Sequence, residues 1–203
     1  MLQFTLYKSK QFIFLISLYS EQSKTKRYVS NLQTVVRKNT IIIEYVLYNK
    51  LHRDDRDENG RILPAVINSN GSQFWYKNDD YHRDDLDENG KVLPAIIYSD
   101  GSQSWYKNGK RHRDDLDESG RILPAIIWGN GNQCWYNDGK LHRDERDENG
   151  RVLPAVIYSN GDQEWYNKGE AHRDDIDENG RILPAVIWGN GRKEWYQDGK
   201  RLM

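Results

Sequence analysis

His82-Arg83-Asp84-Asp85-Leu86-Asp87-Glu88-Asn89-Gly90-Lys91-Val92-Leu93-Pro94-Ala95-Ile96-Ile97-Tyr98-Ser99-Asp100-Gly101-Ser102-Gln103-Ser104-Trp105-Tyr106-Lys107-Asn108-Gly109-Lys110-Arg111 is one unit of a chain that repeats it. His52, His82, His112, His142 and His172 are all the histidines, and each lies 30 residues from the next. Pro64, Pro94, Pro124, Pro154 and Pro184 are all the prolines, and Trp75, Trp105, Trp135, Trp165 and Trp195 keep the same interval. A fixed period of this length marks stacked copies of one supersecondary unit. An enzyme needs one asymmetric cluster of different groups, whereas an array offers the same groups repeatedly. The chain therefore reads as a non-enzymatic repeat protein.

Each unit carries three turn signals. In the first copy these are Asn59-Gly60, Asn70-Gly71 and Asn78-Asp79-Asp80. Asn-Gly between apolar runs predicts a hairpin, because both central residues of a type I′ turn need φ > 0. With Asn70-Gly71 as a two-residue turn, Ile67 faces Phe74 and Val66 faces Trp75. Alternation then puts Val66 and Trp75 on one face and Ile67, Ala65 and Leu63 on the other. The constant Trp with its β-branched partner marks the core. A lone hairpin buries too little to offset its ordering entropy, so stability belongs to the array. The expected fold is all-β, an elongated single-sheet meander of antiparallel hairpins, with a three-sided β-solenoid as the alternative.

The chain divides into residues 1–30, 31–51 and 52–203. Residues 52–203 hold the five regular units. Residues 31–51 read as a degenerate capping hairpin, because Tyr45 and Val36 stand 30 residues before Trp75 and Val66. Residues 1–30 read as a degenerate strand segment. Their apolar run 12–19 after Lys8 and Lys10 resembles a weak signal segment, but no small-residue cleavage site follows.

Charged residues make up 30% of the chain and mean hydropathy is −0.95. Seven Trp and thirteen Tyr offset this polarity with large buried areas. Residues 1–51 hold eight Lys/Arg against two Asp/Glu, whereas residues 52–203 hold twenty-two against twenty-nine. An acidic array is a poor phosphate binder, so no nucleic-acid partner is expected. No run approaches the ~18 apolar residues of a spanning helix, and membrane contact is not expected. Cys134 is the single cysteine, which rules out an intrachain disulfide and reads as a variable, partly exposed position. A monomeric, cytoplasmic protein is expected, with secretion as the alternative.

Trp105-Tyr106-Lys107-Asn108-Gly109-Lys110-Arg111-His112 and Trp135-Tyr136-Asn137-Asp138-Gly139-Lys140-Leu141-His142 resemble the MORN (membrane occupation and recognition nexus) repeat. The resemblance covers residues 45–203. The unit is longer than a typical MORN repeat, and Arg83 and its equivalents stand where glycine usually follows the histidine, so the chain looks like a variant group. The resemblance implies a sheet of successive hairpins serving protein–protein contact.

The acidic stretches carry the sharpest chemical signal. Asp85, Asp87, Asn89 and Gly90 follow the D-x-D-x-N-G spacing of calcium loops, in which oxygens at positions 1, 3 and 5 converge on one ion. Asp55, Asp57 and Asn59 repeat it, as do Asp175, Asp177 and Asn179. Asp115 and Asp117 are followed by Ser119, while Glu145 precedes Asp147 and Asn149. Aliphatic residues replace the bidentate acid of position 12: Val66, Ile96, Ile126, Val156 and Val186. A solvated turn closed by Asn-Gly is the plainer reading. No cofactor is expected, with calcium as the alternative.

His82-Arg83-Asp84 with Asn89 matches the kinase catalytic-loop spacing, but the lysine strand, the Gly-rich loop and D-F-G are missing. The histidines read as structural partners of the carboxylates two residues on, and the arginines as partners of acids in adjacent copies. The row Tyr98, Trp128, Tyr158 and Trp188 reads as mostly buried; an exposed row would stack on sugars. The function expected is a repeat scaffold for a protein partner. A calcium-stabilised surface module and a carbohydrate-binding aromatic array are the alternatives.

Overall fold

The computed structural model describes residues 14–16, 31–37 and 40–202. The signal-like run lies outside the described residues except for the strand Phe14–Ile16. No helix occurs among the described residues, so none is long and apolar enough to cross a membrane. The fold is all-β, a meander of repeated hairpins; the described residues form one open 14-stranded sheet and five two-stranded ribbons.

The sheet runs from Phe14–Ile16 through Asn31–Arg37 and Thr40–Leu47 into the regular units. Each unit adds two short strands, such as Ile96–Ile97 and Gln103–Ser104. Gln103 pairs antiparallel with Ile97 of its own unit and with Ile127 of the next. All ladders among the described residues are antiparallel, which rules out the coils of a solenoid for this sheet. A short ribbon follows, such as Tyr106–Lys107 with Lys110–Arg111, and then an acidic turn closed by the bridge between Leu116 and Ile122. Every turn signal thus closes its own hairpin, but only one hairpin per unit joins the main sheet.

The register differs by one residue from the two-residue-turn expectation. Val66 faces Phe74, and Ile67 faces Gln73. Gly71 N–H donates to Asn68 O and Asn68 N–H to Ser72 O, which closes a three-residue loop. Gly71 has φ +92° while Asn70 stays at negative φ, the geometry of a type I turn with a glycine bulge. Asn70 Oδ1 accepts the Ser72 N–H at 3.0 Å and locks this choice. The type I′ turns stand at the third signal, where Asn108 (φ 51°) and Gly109 (φ 74°) are both left-handed.

Trp75, Trp105, Trp135 and Trp165 are buried, as are Val66, Ile96, Ile126, Val156 and Val186. Ala65, Ala95, Ala125, Ala155 and Ala185 are almost completely enclosed. Their small side chains sit where each Trp N–H meets the next unit's Ala O, 2.8 Å from Trp75 to Ala95. Ile126, Cys134 and Val156 pack with Tyr136, Leu141, Tyr158 and Tyr166 on one face. The one-residue shift turns Trp135 to the other face, in contrast to the expected Trp–Val pairing. Cys134 is therefore a buried core residue rather than a partly exposed one, and burial pushes its thiol pKa up. Tyr98 and Trp128 stand exposed, in contrast to the expected burial of their row; Tyr158 and Trp188 are half-buried.

Tyr45, in the hairpin before the regular units, occupies the Trp position. Its N–H donates to Ala65 O at 2.7 Å, and the Arg53 guanidinium lies 3.5 Å from its ring centre.

Candidate functional site

The acidic turns form one long row. In the first, Gly60 N–H donates to Asp57 O and Asp57 N–H to Arg61 O, with Gly60 at φ +77°. The backbone alone would leave the N–H groups of Asn59 and Arg61 without partners. Asp57 Oδ1 accepts both, at 2.9 Å each. Asp87, Asp117, Asp147 and Asp177 do the same in their turns. The bonds from Lys91, Arg151 and Arg181 N–H hold Asp87, Asp147 and Asp177 below the ordinary carboxylate range. The Ser119 hydroxyl is the main cause for Asp117.

The acid at the first position of the spacing has another task. Asp85 accepts Ile62 N–H from the preceding turn at 2.9 Å and Arg83 Nε at 3.1 Å. Asp115 joins Val92 to Arg113, Glu145 joins Ile122 to Arg143, and Asp175 joins Val152 to Arg173. Asp55 accepts from Arg53. Asn59, Asn89, Asn149 and Asn179 present their backbone N–H to the third-position acid. Among the described residues no three His, Cys, Asp or Glu side chains cluster as metal ligands would.

The arginines after the histidines pair inside their own unit, not with acids of adjacent copies. Arg83, Arg113, Arg143 and Arg173 also lie on the previous unit's tryptophan, as Arg53 lies on Tyr45: Arg83 is 3.9 Å from the Trp75 ring centre, and Arg143 is 3.9 Å from that of Trp135. Their NH1 groups donate to Pro94 O and Pro154 O. Burial lowers the guanidinium pKa of Arg83, Arg113, Arg143 and Arg173, and the bonded carboxylate opposes this shift. The stack escaped the sequence reading, although a constant Arg eight residues after a constant Trp was its signal.

The histidines join units as well. Each Nε2 stands 2.6 to 2.9 Å from the carboxylate two residues on. Nδ1 of His52, His82, His112, His142 and His172 accepts a backbone N–H from the turn 26 residues later, 3.1 to 3.3 Å away. An accepting Nδ1 places the proton of the neutral ring on Nε2.

The acids beside the histidines keep an exposed edge, and the glutamates of the acidic turns stand exposed next to them. Asp54, Asp84, Asp114, Asp144 and Asp174 line the row together with Glu58, Glu88, Glu118, Glu148 and Glu178. The segments 53–61, 83–91, 113–121, 143–151 and 173–181 hold twenty acids against twelve bases. The remainder of residues 52–203 holds nine against ten, so the row carries all of the array's net negative charge. No family model matches the chain, and no curated protein matches it.

Proposed function

We propose that the chain is a non-enzymatic scaffold that meets a protein partner along its row of acidic turns. The observation that carries this reading is the division of labour among the repeated polar groups. The constant Arg, His and first- and third-position acids are engaged in turns and unit junctions, where a substrate would have to break them. The exposed Glu58, Glu88, Glu118, Glu148 and Glu178 are left to face outward at a constant interval, beside Asp54 and its equivalents, which keep an exposed edge while meeting the histidines. Such a periodic field steers and orients a basic partner. The open meander of short hairpins also fits the MORN-like reading, which implies the same kind of protein contact.

The test is affinity capture on the immobilised chain at physiological salt, beside a variant with Glu58, Glu88, Glu118, Glu148 and Glu178 all changed to Gln. Proteins held by the wild type and released by the variant are the expected result. Capture of nothing, or of the same proteins by both, rejects the reading.

A second reading is favoured by the exposure of Tyr98 and Trp128, at 39% and 46%. Aromatic faces so placed stack on sugars, and quenching of Trp fluorescence by soluble glycans is its test.

A further inference from the structure

Two of the five acidic turns carry an arginine where the others carry an aliphatic residue. The positions read Arg56, Leu86, Leu116, Arg146 and Ile176. Arg56 NH1 donates to Gly60 O at 2.5 Å and to Asp85 Oδ1 of the next turn at 3.3 Å. Arg146 NH1 repeats this with Gly150 O at 2.7 Å and Asp175 Oδ1 at 3.3 Å. The first and fourth junctions are therefore bridged by a guanidinium lying on the outer surface, its side chain 55% or 57% exposed.

The second and third junctions lack this bridge. Leu86 and Leu116 occupy the equivalent place and are 53% and 51% exposed. Across from them stand Asp115 and Glu145, which accept from Arg113 or Arg143 and from one backbone N–H. Neither receives a guanidinium from the preceding turn. Their side chains are 11% and 16% exposed, against 5% and 6% for the bridged Asp85 and Asp175. Two neighbouring junctions thus present a carboxylate edge, a glycine carbonyl and an uncovered aliphatic side chain. The chain itself supplies, at both flanking junctions, the group that fits there.

We propose that these two junctions form a docking site for an extended segment of a protein partner bearing two arginines three residues apart. This rests on the scaffold reading and names the chemistry of the partner. Each arginine of the segment takes at Leu86 or Leu116 the place that Arg56 and Arg146 fill from within. Its guanidinium bonds Asp115 with Gly90 O, or Glu145 with Gly120 O, while its methylene stem covers the leucine. The interval follows from sheet geometry. Two strands per unit set junctions about 10 Å apart, and three residues of a polyproline II segment span about 9 Å. The arginine fork suits a carboxylate beside a carbonyl better than an ammonium does.

The experiment measures fluorescence anisotropy of a labelled Gly-Arg-Pro-Pro-Arg-Gly peptide on the full chain. The same peptide with both arginines replaced by lysine runs beside it. The key variant is Leu86→Arg with Leu116→Arg, which fills both junctions as the flanking ones are already filled and so preserves the fold. Binding weakened about tenfold or more by this variant, and several-fold by the lysine exchange, is the expected result. No binding to the wild type, equal binding to the variant, or equal binding of the lysine peptide overturns the site. If proteins captured by the wild type are held equally by the double variant, the arginine site falls while the scaffold reading stands. If nothing is captured at all, the scaffold reading falls.

Discussion

The guanidinium of Arg113 lies 3.8 Å from the ring centre of Trp105, eight residues earlier and in the preceding unit. The same guanidinium donates through Nε to Asp115 at 2.9 Å and through NH1 to Pro124 O at 3.3 Å. One side chain therefore joins the indole of one unit, the acidic turn of the next and the strand entry beyond it. Arg113→Ala leaves Asp115 without its cation and uncovers the indole. A loss of roughly 3 kcal/mol is expected from breaking such a buried pair, read as a lower urea midpoint. Arg113→Lys keeps the charge but not the fork or the stack, so its midpoint should fall between the two.

Gly101 closes the hairpin tip of its unit at φ +85°. A Cβ added there meets nothing within 4 Å, so the cost of Gly101→Ala is conformational alone. It should be about 1–2 kcal/mol. Gly129 is the contrasting case: an added Cβ would lie 2.2 Å from the Asp100 carbonyl oxygen of the neighbouring tip. Gly129→Ala should therefore cost more and weaken the Gly129 N–H bond to Ser102 Oγ, now 2.9 Å. Thermal melts of the two variants separate these effects.

Asp87, Asp147 and Asp177 are held low by backbone N–H bonds, and Asp117 is held low mainly by Ser119. A carboxylate whose pKa is lower folded than unfolded stabilises the fold above its unfolded value, near 4. That contribution disappears as pH falls through the folded pKa. The urea midpoint should therefore be flat near neutrality and decline below about pH 4. Changing all four residues to Asn should flatten the decline. An equally steep decline in that variant would place the acid sensitivity elsewhere.

Residues 82–111 make one complete unit, and their removal joins Tyr81 to His112 at equivalent positions. Arg113 would then meet Trp75, and Asp115 would meet Ile62. The shortened chain should fold with the same β-rich circular dichroism and unfold at a lower temperature, since terminal and junction contributions add along an array. Removing residues 82–96 instead breaks the phase and should abolish cooperative unfolding.

The period, the hairpins and the burial of the constant Trp and Val/Ile were legible because each rests on local chemistry: Gly at left-handed φ, alternation along strands, and large aromatics at a fixed interval. Their shared face was not, because the one-residue shift pairs Val66 with Phe74 and turns Trp75 to the other side. The register was not. Asn70-Gly71 satisfies two turn types equally in sequence, and the deciding bond, Ser72 N–H to Asn70 Oδ1, exists only once the chain is closed. The acidic spacing was visible, but the partners of Asp85 lie 23 residues earlier at Ile62 and two residues earlier at Arg83. Bonds that leap between units leave no mark within a single unit. Only the constancy of Arg83 beside the exchange of Leu86 for Arg56 hinted at which residues face inward.

The sheet strands of each regular unit are only two or three residues long, so little of the hold between units comes from the ladder itself. Arg, Asp, His and Trp side chains carry much of the load, and they do so separately at every junction. Pulled from its two ends, such a molecule would not tear at one weak seam. It would release rung by rung, each step freeing about 100 Å of extended chain, and on slackening each rung has its neighbour as a template for closing again.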